Sequence, residues 1–311
     1  MRLIFCGTPE FAVPTLEKLI AEKFDVELVV TNPDEPAGRG YEMKAPPVKM
    51  AAEKAGLEVF QPARLKDSAA QEYLSKFRPD AMVVVAYGHI IPPWMIALPR
   101  LGCINLHGSL LPKYRGAAPI PWAIVRGEQK TGVTTMKIDA GLDTGDMLLE
   151  REVEIGEDDT TPSLSLKLST VGAGLMVETL HGLECGEIIP RPQDSSKATL
   201  APLLKKEDGV IDWTGRAEEI ARRVRGFQPW PGAYTTFRGK KLHLWAAKPS
   251  TTPAPAGSEP STLEAQGGEL FIVCGDGTRL QVKELQLEGR KRVTARDFLN
   301  GVHLQPGEKA F

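Results

Sequence analysis

AMVVVA, residues Ala81–Ala86, is apolar at consecutive positions, so both faces of the strand it forms must be covered. A strand with one wet face alternates apolar and polar residues instead, and this run reads as a buried strand of a parallel sheet. Working outward, short apolar runs alternate with amphipathic ones. Leu3–Cys6 and Asp25–Val30 read as strands. Between them Leu16, Leu19 and Ile20 follow helical spacing, and Pro9 and Pro14 suit the beginning of a helix. Val48–Ala55 reads as a second helix, Leu57–Phe60 and Ala69–Phe77 continue the alternation, and Cys103–Leu106 is a further strand. Such alternation implies right-handed crossovers and a Rossmann-like α/β domain, a parallel sheet covered on both faces.

Thr131–Ile138 and Met147–Ile155 read as two more strands, and Ser163–His181 as a long helix. Pro190, Pro192 and the polar stretch Gln193–Ala198 follow. The expected layout is a domain over 1–189, a linker at 190–204 and a second domain over 205–311. In the latter a helix at Arg216–Val224 precedes short strand-like runs at Ala233–Phe237, Leu242–Ala246, Leu270–Cys274 and Arg279–Leu285. Short runs between Gly-rich turns suggest a small β-barrel. Pro249–Thr262, rich in Pro, Thr and Ser, reads as a flexible loop inside it.

The length of 311 residues agrees with about two domains. With 42% hydrophobic and 25% charged residues, the chain falls outside the disordered, collagenous and disulfide-scaffold classes. No apolar run approaches the roughly 20 residues of a membrane-spanning helix, and MRLIFCGTPE reads as a first strand rather than a signal peptide. Cys6, Cys103, Cys185 and Cys274 are scattered with no C-x-x-C pair, which points to a reducing, cytoplasmic setting. Charge is uneven: residues 205–311 carry net +4 and residues 1–204 net −6, a weak hint of a polyanionic partner.

The turn after the first strand, CGTPEFAVP, lacks G-x-G-x-x-G, and no G-x-x-x-x-G-K-[ST] occurs, so dinucleotide and P-loop readings lose their main support. Five histidines without H-E-x-x-H make a catalytic metal unexpected. The chemistry concentrates in CINLHGSLLPKYRGAAPIP, residues 103–121. Asn105 and His107 are two apart on a strand and share one face, at the carboxyl end where α/β sheets open their crevice. An amide can donate to a developing oxyanion there, and an imidazole can donate or move a proton. In DAGLDTGDM, residues 139–147, Asp143 at the tip of a Gly-rich turn would fix the imidazole tautomer if it reached His107. Taken alone, these groups can equally be satisfied polar residues ending a strand and a turn. The long stretch Thr31–Pro47, without periodicity, follows the second strand on the same rim, a functional loop or a disordered insertion.

INLHGSLLPKYRGAAPI and GLDTGDM resemble the 10-formyltetrahydrofolate-dependent formyltransferases. CGTPEFAVPTLEKL, NPDEPAGRG and RVRGFQPWPGAYT narrow the resemblance to members of that family acting on methionyl-tRNA, and it extends from Arg2 to about Gly301. It implies formyl transfer from 10-formyltetrahydrofolate to the α-amino group of methionyl-initiator-tRNA by a monomer. Asn105, His107 and Asp143 fall on the catalytic positions, and Ser109, Leu110, Leu111 and Pro112 on the folate-binding turn. Arg39 falls in the element that approaches the tRNA acceptor end, and the carboxyl-terminal barrel is implied to be OB-like. Arg222, Arg223, Arg225, Lys240 and Lys241 are candidates for holding phosphates, and Trp213, Phe227, Trp230 and Trp245 for barrel and interdomain core.

Overall fold

The computed structural model describes residues 1–37 and 42–311. They form two compact units. Met1–Ala117, Lys130–Glu154 and Ser165–Ala201 make the first; Ala118–Gln129, Ile155–Leu164 and Pro202–Phe311 make the second.

In the first unit the strands are β1 (Arg2–Gly7), β2 (Asp25–Val30), β3 (Glu35–Ala37), β4 (Glu42–Lys44), β5 (Val59–Phe60), β6 (Ala81–Val85), β7 (Cys103–His107), β8 (Lys130–Lys137) and β9 (Met147–Glu154). Seven make one sheet in the order β5-β2-β1-β6-β7-β8-β9, while β3 and β4 pair as a separate antiparallel ribbon. That ribbon lies within the long stretch that showed no periodicity, too short a pairing to leave a pattern. Every residue of β6 is buried. Met82 and Val84 face a cluster with Ile4, Cys6, Leu28 and Val30, while the alternating side chains enter the other face.

The strands from β5 to β7 are mutually parallel, as the alternation predicts. The edge differs: β8 runs antiparallel to β7, and β9 to β8. Only residues 138–146 join β8 to β9. A parallel return needs a crossover of a dozen or more residues, so this connection dictates an antiparallel pair.

The helices around this sheet are α1 (Val13–Ala21), α2 (Pro47–Lys54), α3 (Ser68–Leu74) and α4 (Pro93–Ile96). α5 (Pro119–Val125) belongs to the second unit, and α6 (Thr161–Cys185) joins the first from Ser165 onward. α6 packs tightly on β7: a Cβ at Gly172 would come within 2.6 Å of Leu106 Cδ2. From β1 the chain builds toward β2 and β5 on one side and, through β6, toward β7 on the other. The reversal between β1 and β6 is the switch point at which such sheets open a crevice at their carboxyl ends.

The second unit holds α7 (Ala217–Gly226), β10 (Ala233–Phe237), β11 (Lys240–Pro249), β12 (Leu263–Gln266), β13 (Glu269–Val273), β14 (Arg279–Leu287), β15 (Val293–Thr294) and α8 (Ala295–Gly301). The strands form an antiparallel sheet, β10-β11-β14-β13-β12, with β15 beside β14. The last residues close it into a barrel. Leu263 N–H donates to Glu308 O and Ala310 N–H to Ser261 O on the β12 side, while Phe311 exchanges two backbone hydrogen bonds with Thr236 of β10. Both sheet edges are thereby paired, which removes the aggregation risk of an open edge. Phe237, Leu242, Leu244, Leu270, Ile272, Leu280 and Val282 fill the interior.

Trp213 is buried in the barrel core, Phe227 is buried against Trp122 of α5, and Trp230 is 53% exposed. The segment 249–262 is not a free loop. Ser250 N–H donates to Arg279 O and Ala254 N–H to Gly277 O, both at 2.8 Å. The buried Arg279 guanidinium donates to Glu264 Oε2 at 3.0 Å, to Thr252 O at 3.3 Å and to Thr252 Oγ1. Among the described residues no helix is long and apolar enough to cross a membrane.

Candidate active site

β7 carries Asn105 and His107 to the carboxyl end of the sheet, between β6 and β8. Asn105 sits beside Val84 and Met136, and His107 beside Thr134. The His107 ring is only 6% exposed. Its Nε2 lies 2.9 Å from the Tyr114 carbonyl oxygen. A carbonyl can only accept, so Nε2 carries the proton and Nδ1 faces the other way. There Asp143 Oδ2 stands 3.7 Å from Nδ1. Asn105 is half-buried, and its side chain makes no hydrogen bond with the described residues. The structure thus brings all three catalytic candidates to one mouth of the sheet: a fixed imidazole, an acid beside it and an unengaged amide.

Asp143 occupies the left-handed region at φ 49°, and its Oδ2 accepts from Gly116 N–H at 2.8 Å. The turn around it is tight. Asp139 accepts from Gly141 N–H at 3.0 Å and from Thr144 Oγ1 at 2.8 and 2.9 Å. Glycine at 145 is required by space, since a Cβ there would fall 1.8 Å from Lys137 O. Gly116 combines φ +118° with the Ala201 carbonyl 2.7 Å from where its Cβ would be.

The folate-turn candidates follow directly after His107. Thr134 Oγ1 donates to Ser109 O at 2.7 Å and accepts from Leu111 N–H at 3.2 Å, which ties the turn to β8. Ser109 Oγ donates to Lys113 O at 2.7 Å. Ser109 and Leu111 are buried, Leu110 packs over Gly132, and Pro112 is half-buried. Leu110 and Pro112 are the more accessible side chains of this turn. Arg39 lies outside the described residues.

Three groups escaped the motif reading. The Tyr114 carbonyl is backbone and has no side-chain signature. Thr134 sits in a strand whose threonines read only as β-formers. Gln193 falls in the polar stretch assigned to the linker, yet its amide reaches Asp143 O and Gly145 O at 2.8 Å each. Thr199 and Ala201, from the expected linker at 190–204, pair with the backbone of Tyr114 and Arg115.

Burial pushes the Cys103 thiol up to about 12 and holds that of Cys6 well above its ordinary value, so neither supplies a thiolate nucleophile here. Among the described residues no group of three or more His, Cys, Asp or Glu is placed to hold a metal ion. The α7 arginines serve their own unit: Arg225 Nη1 donates to Asp159 O at 2.8 Å, Arg223 Nη2 to Asp208 O, and Arg222 packs against Gly127.

Residues 1–180 match the family model described as formyl transferase, and residues 203–303 match formyl transferase, C-terminal domain. Methionyl-tRNA formyltransferase of Acidobacterium capsulatum is 55% identical over 307 residues, covering 98% of this chain and 98% of that protein. The enzyme of the same name from Solibacter usitatus is 54% identical, with 99% and 98% covered. Among solved structures, WlaRD, a sugar 3N-formyl transferase, superposes with TM-score 0.69 at 17% identity over 94% of this chain and 99% of that one. HypX from Aquifex aeolicus gives 0.67 at 18% over 98% of this chain and 49% of its own length. At such low identity these two likenesses establish the fold alone. The family models and the near-full-length identities go further: the chain belongs to the formyl transferase family.

Proposed function

We propose that this protein transfers the formyl group of 10-formyltetrahydrofolate to the α-amino group of methionine esterified to initiator tRNA, in support of translation initiation. The observation that carries the chemistry is the convergence of the unengaged Asn105 amide with His107 and Asp143 at the carboxyl mouth of the sheet. The relatives' names and near-complete coverage supply the acceptor.

The folate cosubstrate, when bound, supplies a carbonyl carbon for attack by the amine. Asn105 donates its amide N–H to the oxygen that gains negative charge, a donor held ready by β7 rather than recruited from water. The Tyr114 carbonyl anchors His107 through Nε2, which leaves Nδ1 as the working nitrogen beside Asp143. A ring protonated on both nitrogens satisfies both neighbours, so His107 can carry the proton the amine loses toward the nitrogen that departs. Asp143 balances the ring's charge meanwhile. The backbone of residues 109–112, fixed by Thr134, forms the wall against which the folate lies.

Arg39 approaches the acceptor end of the tRNA, and the barrel supports its backbone. The working division is a catalytic domain over 1–189, a connection at 190–204 and an OB-like tRNA-binding domain over 205–311. The enzyme acts as a monomer in the cytoplasm, a reducing setting that suits four free cysteines.

A formylation assay comparing initiator Met-tRNA, elongator Met-tRNA and free methionine tests the proposal. Transfer from 10-formyltetrahydrofolate to the first alone is expected. Equal transfer to free methionine, or none to initiator Met-tRNA, would refute it.

A further inference from the structure

Gln193 lies outside both motifs that carry the catalytic candidates, yet its carboxamide joins the two segments flanking His107. Nε2 donates to the carbonyls of Asp143 and Gly145, each at 2.8 Å. Oε1 accepts from Nε and Nη2 of Arg115 at 3.0 and 2.8 Å. All four hydrogen-bonding positions of the amide are used, and its orientation is forced. Carbonyls only accept and a guanidinium only donates, so a flipped amide would oppose like to like at all four contacts.

Arg115 is a telling partner. The residue before it, Tyr114, offers the carbonyl that receives His107 Nε2–H, and the residue after it, Gly116, donates its N–H to Asp143 Oδ2. Arg115 is 8% exposed, with its backbone pinned by Thr199 O at 2.8 Å and Ala201 N–H at 2.7 Å. Gln193 is anchored in turn by two 2.9 Å backbone hydrogen bonds between Arg191 and Met147. Asp143, at φ 49°, holds a backbone conformation that a non-glycine residue adopts only when its surroundings impose it. The Gln193 amide grips that residue's own carbonyl.

We propose that Gln193 is a positioning residue for formyl transfer: its carboxamide clamps the 139–146 turn to Arg115 and so sets the separation of the Asp143 carboxylate from the His107 ring. The single Asp143–Gly116 hydrogen bond lets the carboxylate pivot. Gln193 fixes the backbone from which the carboxylate extends, so that the pivot is confined to the side chain and keeps within reach of His107. The inference rests on the proposed roles of His107 and Asp143.

The test is a double-mutant cycle on the full-length enzyme, with Gln193→Leu, Asp143→Asn and the pair compared by single-turnover transfer rate, KM and thermal unfolding. Gln193→Leu is expected to slow transfer by about a hundredfold, the scale of a misplaced catalytic group, with both KM values unchanged. In the Asp143→Asn background the same substitution is expected to cost almost nothing, because the group it positions is already disabled. An undiminished effect in that background, or no effect in the wild type, overturns the positioning role. A wild-type rate in Asp143→Asn alone overturns instead the reading of the site on which it rests. Should Gln193→Leu fail to fold, Gln193→Glu keeps the acceptor for Arg115 and loses both donors. A wild-type rate in that variant overturns the proposal equally.

Discussion

His107 Nδ1 stands 3.7 Å from Asp143 Oδ2, longer than a hydrogen bond yet within ion-pair reach. The carboxylate is already engaged by Gly116 N–H at 2.8 Å, so in the free enzyme it acts on the ring through its charge. Catalytic hydrogen bonds commonly tighten only in the substrate complex, and a small rotation of the Asp143 side chain on its fixed backbone would complete this one. Asp143→Asn keeps the size of the side chain and an oxygen for Gly116 while removing the charge. Its kcat is expected to fall by about 10²–10⁴-fold, the range of acid–base assistance, with an unchanged unfolding midpoint. Steady-state kinetics beside thermal unfolding checks this, and an unchanged kcat would remove the acid from the mechanism.

The basic side chains of the second unit divide by what they touch. Arg223 and Arg225 spend their donors on backbone carbonyls, and burial pulls both guanidinium groups below their usual range. Arg225→Ala is expected to cost about 1–3 kcal/mol of stability, the penalty for orphaning a buried polar partner, and to leave the salt dependence of tRNA binding alone. Lys240 is exposed. Lys240→Ala is expected to flatten the slope of log K against log salt by about 1. Binding titrations across salt concentrations separate the two, and a changed slope for Arg225→Ala would return that residue to the phosphate surface.

Arg279 shows how the Pro-rich segment is held. It is 6% exposed, paired with Glu264 and bonded to Thr252. Arg279→Ala leaves that carboxylate unpaired in a half-buried place and is expected to cost about 3–5 kcal/mol. Chemical denaturation measures it, and a loss under 1 kcal/mol would show that the ion pair contributes little.

Much of this architecture was legible because burial writes itself into periodicity. β2 at Asp25–Val30 and β10 at Ala233–Phe237 begin and end where the sequence places them. The buried run at Ala81–Val85 located the parallel core. What escaped has no side-chain pattern. β12 is four residues long, β15 two, and the carboxyl-terminal strip that closes the barrel is joined by backbone hydrogen bonds and by the Arg238–Glu308 and Glu259–Lys309 ion pairs, which leave no periodicity. The antiparallel edge follows from a short connection, which strand patterns do not register. In the site, Asn105 and His107 showed themselves by sharing a strand face, and Asp143 by its glycines. Tyr114 contributes a carbonyl that any residue could offer, and Gln193 acts across fifty positions of sequence.

Arg39 carries the tRNA-contact proposal from the sequence alone. Its sequence neighbours are Gly38 and Gly40, and the guanidinium is a group suited to phosphate or a base edge. Arg39→Ala is expected to weaken transfer to Met-tRNA more than it changes folate affinity. Parallel KM measurements decide it, and equal effects on both substrates would argue against an RNA contact.

The site stands or falls on the donor side of β7. The decisive measurement is the single-turnover rate of formyl transfer to initiator Met-tRNA in Asn105→Ala, with His107→Ala beside it. Losing one preorganised donor should slow the step by about 10²–10³, or roughly 3–4 kcal/mol, while the fold and tRNA binding survive. A near-wild-type rate in Asn105→Ala would contradict the assignment of the oxyanion to this mouth of the sheet.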